Sequence, residues 1–216
     1  DLKNNQIDLL IGTHSLFQDK VIFNKLGLII IDEQHKFGVK QRKKLSDKGG
    51  KNCDVLVMSA TPIPRTMIMT IYGDMDTTII KNKPKNRKEV KTLSKLDTKI
   101  PEVIAFVKKQ IVYKNQIFWV CPLIEESKKI DHQSSIKRYE GLKKIFKDRV
   151  GLLHGLLSKD EKDKILLNFL KKKIDILVST TVIEVGIDFP NANLIIIENA
   201  NKFGLAQLHQ LRGRVG

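Results

Sequence analysis

The sequence is poor in cysteine: Cys53 and Cys121 are the only two in 216 residues. Two thiols cannot build a disulfide framework or a cysteine-based zinc site, which points to a reducing intracellular compartment. Long hydrophobic runs are missing too. Leu26 to Ile31 is among the longest, far short of the roughly 20 residues a membrane helix needs. The opening Asp1-Leu2-Lys3-Asn4-Asn5 has no apolar signal region and no initiator methionine, so the chain is expected to begin inside a longer protein. The five histidines, His14, His35, His132, His154 and His209, show no metal-ligand spacing, which argues against a histidine-built metalloenzyme.

What is there suffices for a folded core. The chain is 41% hydrophobic and 29% charged, which excludes a disordered chain, a collagen and a disulfide miniprotein. Its length suits one large domain or two small ones. Basic residues outnumber acidic ones 39 to 24, giving a net charge of +15. That excess points to an anionic partner such as nucleic acid. Only Arg42, Arg65, Arg87, Arg138, Arg149, Arg212 and Arg214 are arginine, and the rest are lysine. Lysine, isoleucine and asparagine have AT-rich codons, so genome composition is an equally good source of the charge.

Short aliphatic runs alternate with helical patterns. Ile7–Ile11, Leu26–Ile31, Val55–Met58, Val90–Leu96, Gln116–Cys121, Val150–Leu153, Ile174–Val178 and Leu194–Ile197 read as strands, mostly of the buried parallel kind. Between them Phe37 to Leu45, Thr66 to Tyr72 and Ile136 to Phe146 read as helices. A further helix places Ile100, Ile104, Val107 and Ile111 on one face. Ser158-Lys159-Asp160-Glu161 is a capping box that opens a helix burying Leu166, Phe169 and Leu170. Gly204 to Leu211 is the last helix. The polar, basic stretch around Pro84 has no periodicity and reads as a linker. The expected fold is therefore α/β with two parallel-sheet lobes, residues 1–82 and 89–216, joined by a linker at 83–88. Such sheets bind ligands at the carboxyl ends of their strands.

The informative residues sit just after strands. Leu28–Ile31 is followed by Asp32-Glu33-Gln34-His35. Two carboxylates at a strand end can hold Mg²⁺ and orient a water in nucleotide hydrolysis, or can be a solvated turn. Ser59 and Thr61 follow the next strand and can relay hydrogen bonds, or can cap a helix before Pro62. Thr180 follows a strand in the second half, with Gly186 and Asp188 soon after. Hydroxyls there suit phosphate, and Asp188 suits a ribose hydroxyl; a capped turn explains them as simply. Near the end, Arg212 and Arg214 flank Gly213, a pattern fit to stabilise phosphate charge.

Taken together and in order, Asp-Glu-Gln-His, Ser-Ala-Thr, Ser-Thr-Thr with Gly-Ile-Asp, and Gln210 to Gly216 resemble motifs II, III, V and VI of the superfamily 2 helicases. Gly12 to Phe17, Phe37 to Arg42, Thr61 to Thr66, Pro122 to Ser127 and Phe203 to Arg212 narrow the likeness to the RecG family, the bacterial branch-migration helicases. The resemblance implies two tandem RecA-like lobes, the first lacking its N-terminal strands, with ATP and Mg²⁺ as cofactors. It implies that Asp32 holds Mg²⁺ through water and that Glu33 polarises the attacking water. Gln34, His35, Ser59 and Thr61 would couple hydrolysis to domain movement, and Gly186 and Asp188 would face the nucleotide. Arg214 would act as arginine finger and Gln210 would line the cleft. Thr13, His14 and Thr180 would lie on the DNA backbone. The implied partner is branched DNA, forks and Holliday junctions, acted on by a monomer in the bacterial cytoplasm and away from membranes.

Two departures qualify this. A phosphate-binding loop needs Gly, four residues, then Gly-Lys-Ser/Thr. The only Gly-Lys pair is Gly50-Lys51, with Asn52 after it and Leu45 where the first glycine belongs. The last motif also stops at Gly216, one residue before its further arginine. The chain thus reads as an excerpt or truncated product, inactive alone. The alternatives are a piece of the transcription–repair coupling translocase, which typically has Glu where Gln34 stands, and a non-catalytic nucleic-acid-binding remnant.

Overall fold

Four consecutive aliphatic residues, Leu28–Ile31, form β1, which lies parallel to β2, Asp54–Val57. Ile29 faces Val55 and Ile31 faces Val57 across the ladder. In the computed structural model, residue 4 and residues 6–33, 47–60, 76–82, 89–122, 128–180 and 189–216 are described. The expected helices at 37–45 and 66–72, the linker at 83–88, and Gln34, His35, Thr61, Gly186 and Asp188 lie outside those residues. The chain divides into two units, Asp1–Met75 and Asp76–Gly216.

In the first unit the β1 side chains alternate: Ile29 and Ile31 are buried, while Leu28 and Ile30 are each 54% exposed. Leu26, Cys53 and Val55 pack on the buried pair. Lys48 ties the preceding loop down, its Nζ donating to the carbonyls of Gln18 and Val21. Ile7–Ile11 forms no strand; Leu9 and Ile11 are 75% and 85% exposed. A run of aliphatics becomes a strand only beside a partner, and no described strand lies next to this one.

The second unit holds a four-stranded parallel sheet in the order β4-β5-β3-β6. These strands are Gln116–Val120 (β3), Val150–Leu153 (β4), Ile176–Ser179 (β5) and Ala192–Ile197 (β6). Helices α1 (Ile100–Val112), α2 (Lys128–Phe146), α3 (Lys159–Leu170) and α4 (Leu205–Arg212) cover it. Because side chains alternate along a strand, Ile117, Trp119, Cys121, Ile176 and Val178 pack with Val107 of α1 and Leu142 of α2. Phe118, Val120, Leu153 and Leu177 pack on the opposite face with Leu166 and Phe169 of α3 and Leu211 of α4. Phe118, Phe169 and Phe189 form a triangle with ring centroids 5.3–5.6 Å apart. Gly151 lets Ile174 close on β4: a Cβ there would stand 2.9 Å from the Ile174 Cδ1.

The helix ends follow from sequence. Ser158 Oγ accepts from the Glu161 amide and Glu161 Oε2 accepts from the Ser158 amide, so the expected capping box forms. The Ser158 hydroxyl, which also donates to Oε2 at 2.7 Å, and then the Ser158 amide draw the exposed Glu161 carboxyl below its usual value. Helices α1, α2 and α3 are each followed within two residues by a lysine of positive φ: Lys114 (60°), Lys147 (55°) and Lys172 (58°). This is the left-handed stop that glycine usually supplies, with a cation beside the negative end of the helix dipole. Helix α2 begins at Lys128, eight residues before the amphipathic stretch that marks it in sequence. Val90–Leu96, expected as a strand, joins no ladder among the described residues; Val90 packs on the core, and Leu93 and Leu96 are 83% and 76% exposed.

Candidate functional site

In the first unit the ladder continues past β1 and β2, the Met58 amide donating to the Ile31 carbonyl at 2.8 Å. That register sets Asp32 and Glu33 level with Met58 and Ser59 at the carboxyl edge. Asp32 is exposed, and Glu33 and Ser59 are half-buried. Asp32 Oδ1 accepts the Glu33 amide at 2.9 Å. Glu33 has φ 49°, a left-handed backbone that costs a side-chain-bearing residue about 1–2 kcal/mol. Strain of this kind collects where a fold must aim a side chain. Two carboxylates on one rigid strand end offer hard oxygen donors that suit Mg²⁺ held through water. They supply no phosphate cradle of their own.

Thr13 precedes the 3₁₀ turn His14–Phe17 in extended conformation, and its hydroxyl makes no capping bond. Thr13 is exposed.

In the second unit Thr180 follows β5, its amide donating to the Leu153 carbonyl at 3.4 Å. Only 3% of it is exposed, so its hydroxyl lies inside the lobe. Gln207 Oε1 accepts the Gly204 amide at 3.1 Å and opens α4. Leu211 and Val215 enter the core, which leaves Gln210 half-buried and Arg214 exposed on the outer side.

One cluster at this edge has no local sequence signature. Glu198, directly after β6, accepts the indole N–H of Trp119 from β3. It also pairs with Arg138 of α2 through both carboxylate oxygens, Oε2 at 3.2 Å from Nη2 and Oε1 against Nε. The Arg138 guanidinium carbon stands 5.5 Å over the Trp119 ring. Cys121 lies nearby, and burial first, then the Glu198 charge, pushes its thiol up to about 12. The only available signal was the aliphatic strand ending in Glu198, the pattern that marks Asp32. At the opposite edge Asp175 pairs with Arg149, yet burial raises its carboxyl above the usual range.

Among the described residues no group of three acidic, histidine or cysteine side chains could hold a metal, and no helix is long and apolar enough to cross a membrane.

Residues 98–216 match the helicase conserved C-terminal domain, and residues 1–70 match the DEAD/DEAH box helicase family. Over the whole chain the sequence is 56% identical to the ATP-dependent DNA helicase RecG of Thermotoga maritima, 50% to that of Bacillus subtilis and 52% to that of Aquifex aeolicus. It spans only 28%, 32% and 27% of those proteins. The structure resembles S. cerevisiae Dbp5 bound to RNA and ADP BeF3, with a TM-score of 0.60 over 94% of this chain and 54% of that one, at 18% identity. It also resembles the Mycobacterium smegmatis helicase Lhr, with a TM-score of 0.58 over 94% of this chain and 29% of that one, at 17% identity. At these identities the structural likeness speaks to the RecA-like fold.

Proposed function

We propose, on the premise that this chain belongs to the superfamily 2 helicases of the RecG type, that it supplies the metal-and-water edge of one RecA-like lobe and the arginine-finger lobe of an ATP-driven DNA motor. The reading rests on the Asp32–Glu33 pair, held level with Ser59 at the strand edge, in a chain half or more identical to RecG along its whole length. In the motor, water attacks the γ-phosphorus of ATP in line while the bond to the β-phosphate oxygen breaks. Glu33 orients that water and receives its proton. Asp32 would hold Mg²⁺ through water, and the bound metal would supply charge neutralisation on the phosphates. Arg214 meets the charge that develops on the transferred group, with Gln210 beside it on α4. Gly186 and Asp188 face the nucleotide. Gln34, His35, Ser59 and Thr61 pass the change in γ-phosphate occupancy to the rest of the motor. DNA runs along Thr13 and His14. Thr180, directly after β5, belongs to the same DNA path. The substrates are forks and Holliday junctions in DNA repair, met in the bacterial cytoplasm by a monomer.

The 216 residues hold no Gly-x4-Gly-Lys-Ser/Thr motif for the β and γ phosphates, so the isolated chain is expected not to hydrolyse ATP. Robust DNA-stimulated hydrolysis by the purified chain would refute this assignment of parts. The roles are tested in a chimera whose flanking segments come from the Thermotoga maritima relative. There Glu33→Gln retains ATP binding and loses turnover, and Arg214→Ala loses turnover by the factor of roughly 10³–10⁵ that arginine fingers contribute. Near-normal turnover of either variant removes that residue from its role.

A further inference from the structure

We infer that Glu198, clamped by Arg138 and Trp119, is a positioning residue that fixes the turn leading into α4 and, through α4, Gln210 and Arg214. Three elements meet at this one carboxylate: the central strand β3 through Trp119, helix α2 through Arg138, and the end of β6 through Glu198 itself. The Glu198 amide also donates to the Val120 carbonyl at 2.9 Å, so backbone and side chain hold the same point. Immediately beyond, Asn199 turns left-handed (φ 47°, ψ 52°), and Ala200–Lys202 forms a single 3₁₀ turn.

Helix α4 cannot place itself. It has eight residues, too few to be stable alone. Its first residue, Leu205, is 87% exposed, and its core contacts, through Leu208, Leu211 and Val215, begin only at its fourth residue. Between Glu198 and α4 only Phe203 is buried. The start of the helix therefore depends on the Phe203 plug and the Glu198 clamp. The clamp is half-buried, with Arg138 and Glu198 side chains 24% and 19% exposed. A pair so placed is screened less than a surface pair. Loss of either partner also leaves the other charge poorly satisfied.

The inference rests on the proposed role of Arg214, and its test separates the two. Trp119 is the only tryptophan in the chain, so its emission reports the clamp directly. In the purified 216-residue chain, Glu198→Gln keeps the size of the side chain and removes its charge. Arg138→Met removes the cation from a partly exposed helix face and serves should the first variant fold poorly. Each is expected to shift Trp119 emission and to speed amide hydrogen exchange at residues 205–214 about tenfold relative to β4 and β5. Altered emission with wild-type exchange at 205–214 would overturn the inference. In the chimera both variants are expected to lower kcat for ATP about tenfold with KM unchanged, and Arg138→Lys is expected to recover part of it. A KM effect alone would also overturn it. If instead Arg214→Ala turns over normally while exchange at 205–214 responds as expected, the clamp stands and the assignment of Arg214 falls.

Discussion

Glu33 offers a way to weigh backbone strain against catalysis. Its φ of 49° costs any residue with a Cβ about 1–2 kcal/mol, a cost glycine escapes. Glycine in turn gives the unfolded chain extra freedom, worth roughly 0.4–1 kcal/mol against folding. Comparing Glu33→Gly with Glu33→Ala isolates the backbone, because both remove the same side-chain contacts and both keep the amide that Asp32 Oδ1 accepts. The glycine variant should then be the more stable by about 0.5–1 kcal/mol, the reverse of the usual order for these two residues within regular structure. The first unit has no tryptophan, so the assay is amide hydrogen exchange across β1 and β2. That margin corresponds to exchange about two- to fivefold slower in the glycine variant. In the chimera both variants should bind ATP and fail to turn over. Equal protection in the two variants, or faster exchange with glycine, would show that the left-handed turn stores no strain.

Three further outcomes follow from other parts of the chain. Gln116 is 2% exposed and its Nε2 donates to the carbonyls of Phe169 and Ile174; the Phe169 carbonyl also accepts the Lys172 amide, so Gln116→Leu should destabilise the second unit by about 1–3 kcal/mol through the acceptor left at Ile174, read as an earlier loss of Trp119 fluorescence in urea. Ser158→Ala should cost about 1 kcal/mol through the lost cap. Because Ser158 holds the Glu161 carboxyl below its usual value, the cap contributes stability above that usual value and loses it as pH falls through the lowered one; the variant should show a flatter acid limb in urea titrations from pH 6 to pH 3. Cys121, buried and with its thiol pushed up to about 12, should resist iodoacetamide at pH 8 until the second unit unfolds, while the half-buried Cys53 reacts first by mass spectrometry.

Where local pattern governs structure, the sequence could be read closely. Val150–Leu153 forms a strand with the bounds its aliphatic run marks, and Ser158 with Glu161 forms the box that their spacing announces. The face built on Ile104, Val107 and Ile111 packs on the sheet as periodicity requires. Where structure depends on a distant partner, pattern alone misled. Ile7–Ile11 and Val90–Leu96 read as strands by pattern, and what they lack is a ladder partner among the described strands, which no window of residues displays. The same dependence on distant residues holds for the sites. Asp32 and Glu33 stand out because a strand ends on them. Glu198 ends a strand in the same way, but its partners lie 60 and 79 residues away in Arg138 and Trp119, and nothing local ties them together.

The strand order has a consequence for how the protein is made. The central strand, β3, pairs only with β5 and β6, Ile117 meeting Ile176 and Phe118 meeting Ile195. Both partners leave the ribosome later than β3 does. At roughly 5–20 residues per second, synthesis from Val120 to Ser179, the end of the first partner strand, takes on the order of 3–12 s. For that interval Phe118, Trp119 and Val120 have no sheet to enter, and α1 with part of α2 can shield only one of their faces. The nascent chain therefore exposes a strand that is fully buried in the finished lobe for seconds at a time. Translation slowed between β3 and β6 should lower soluble yield, and a holdase chaperone binding extended apolar strands should raise it.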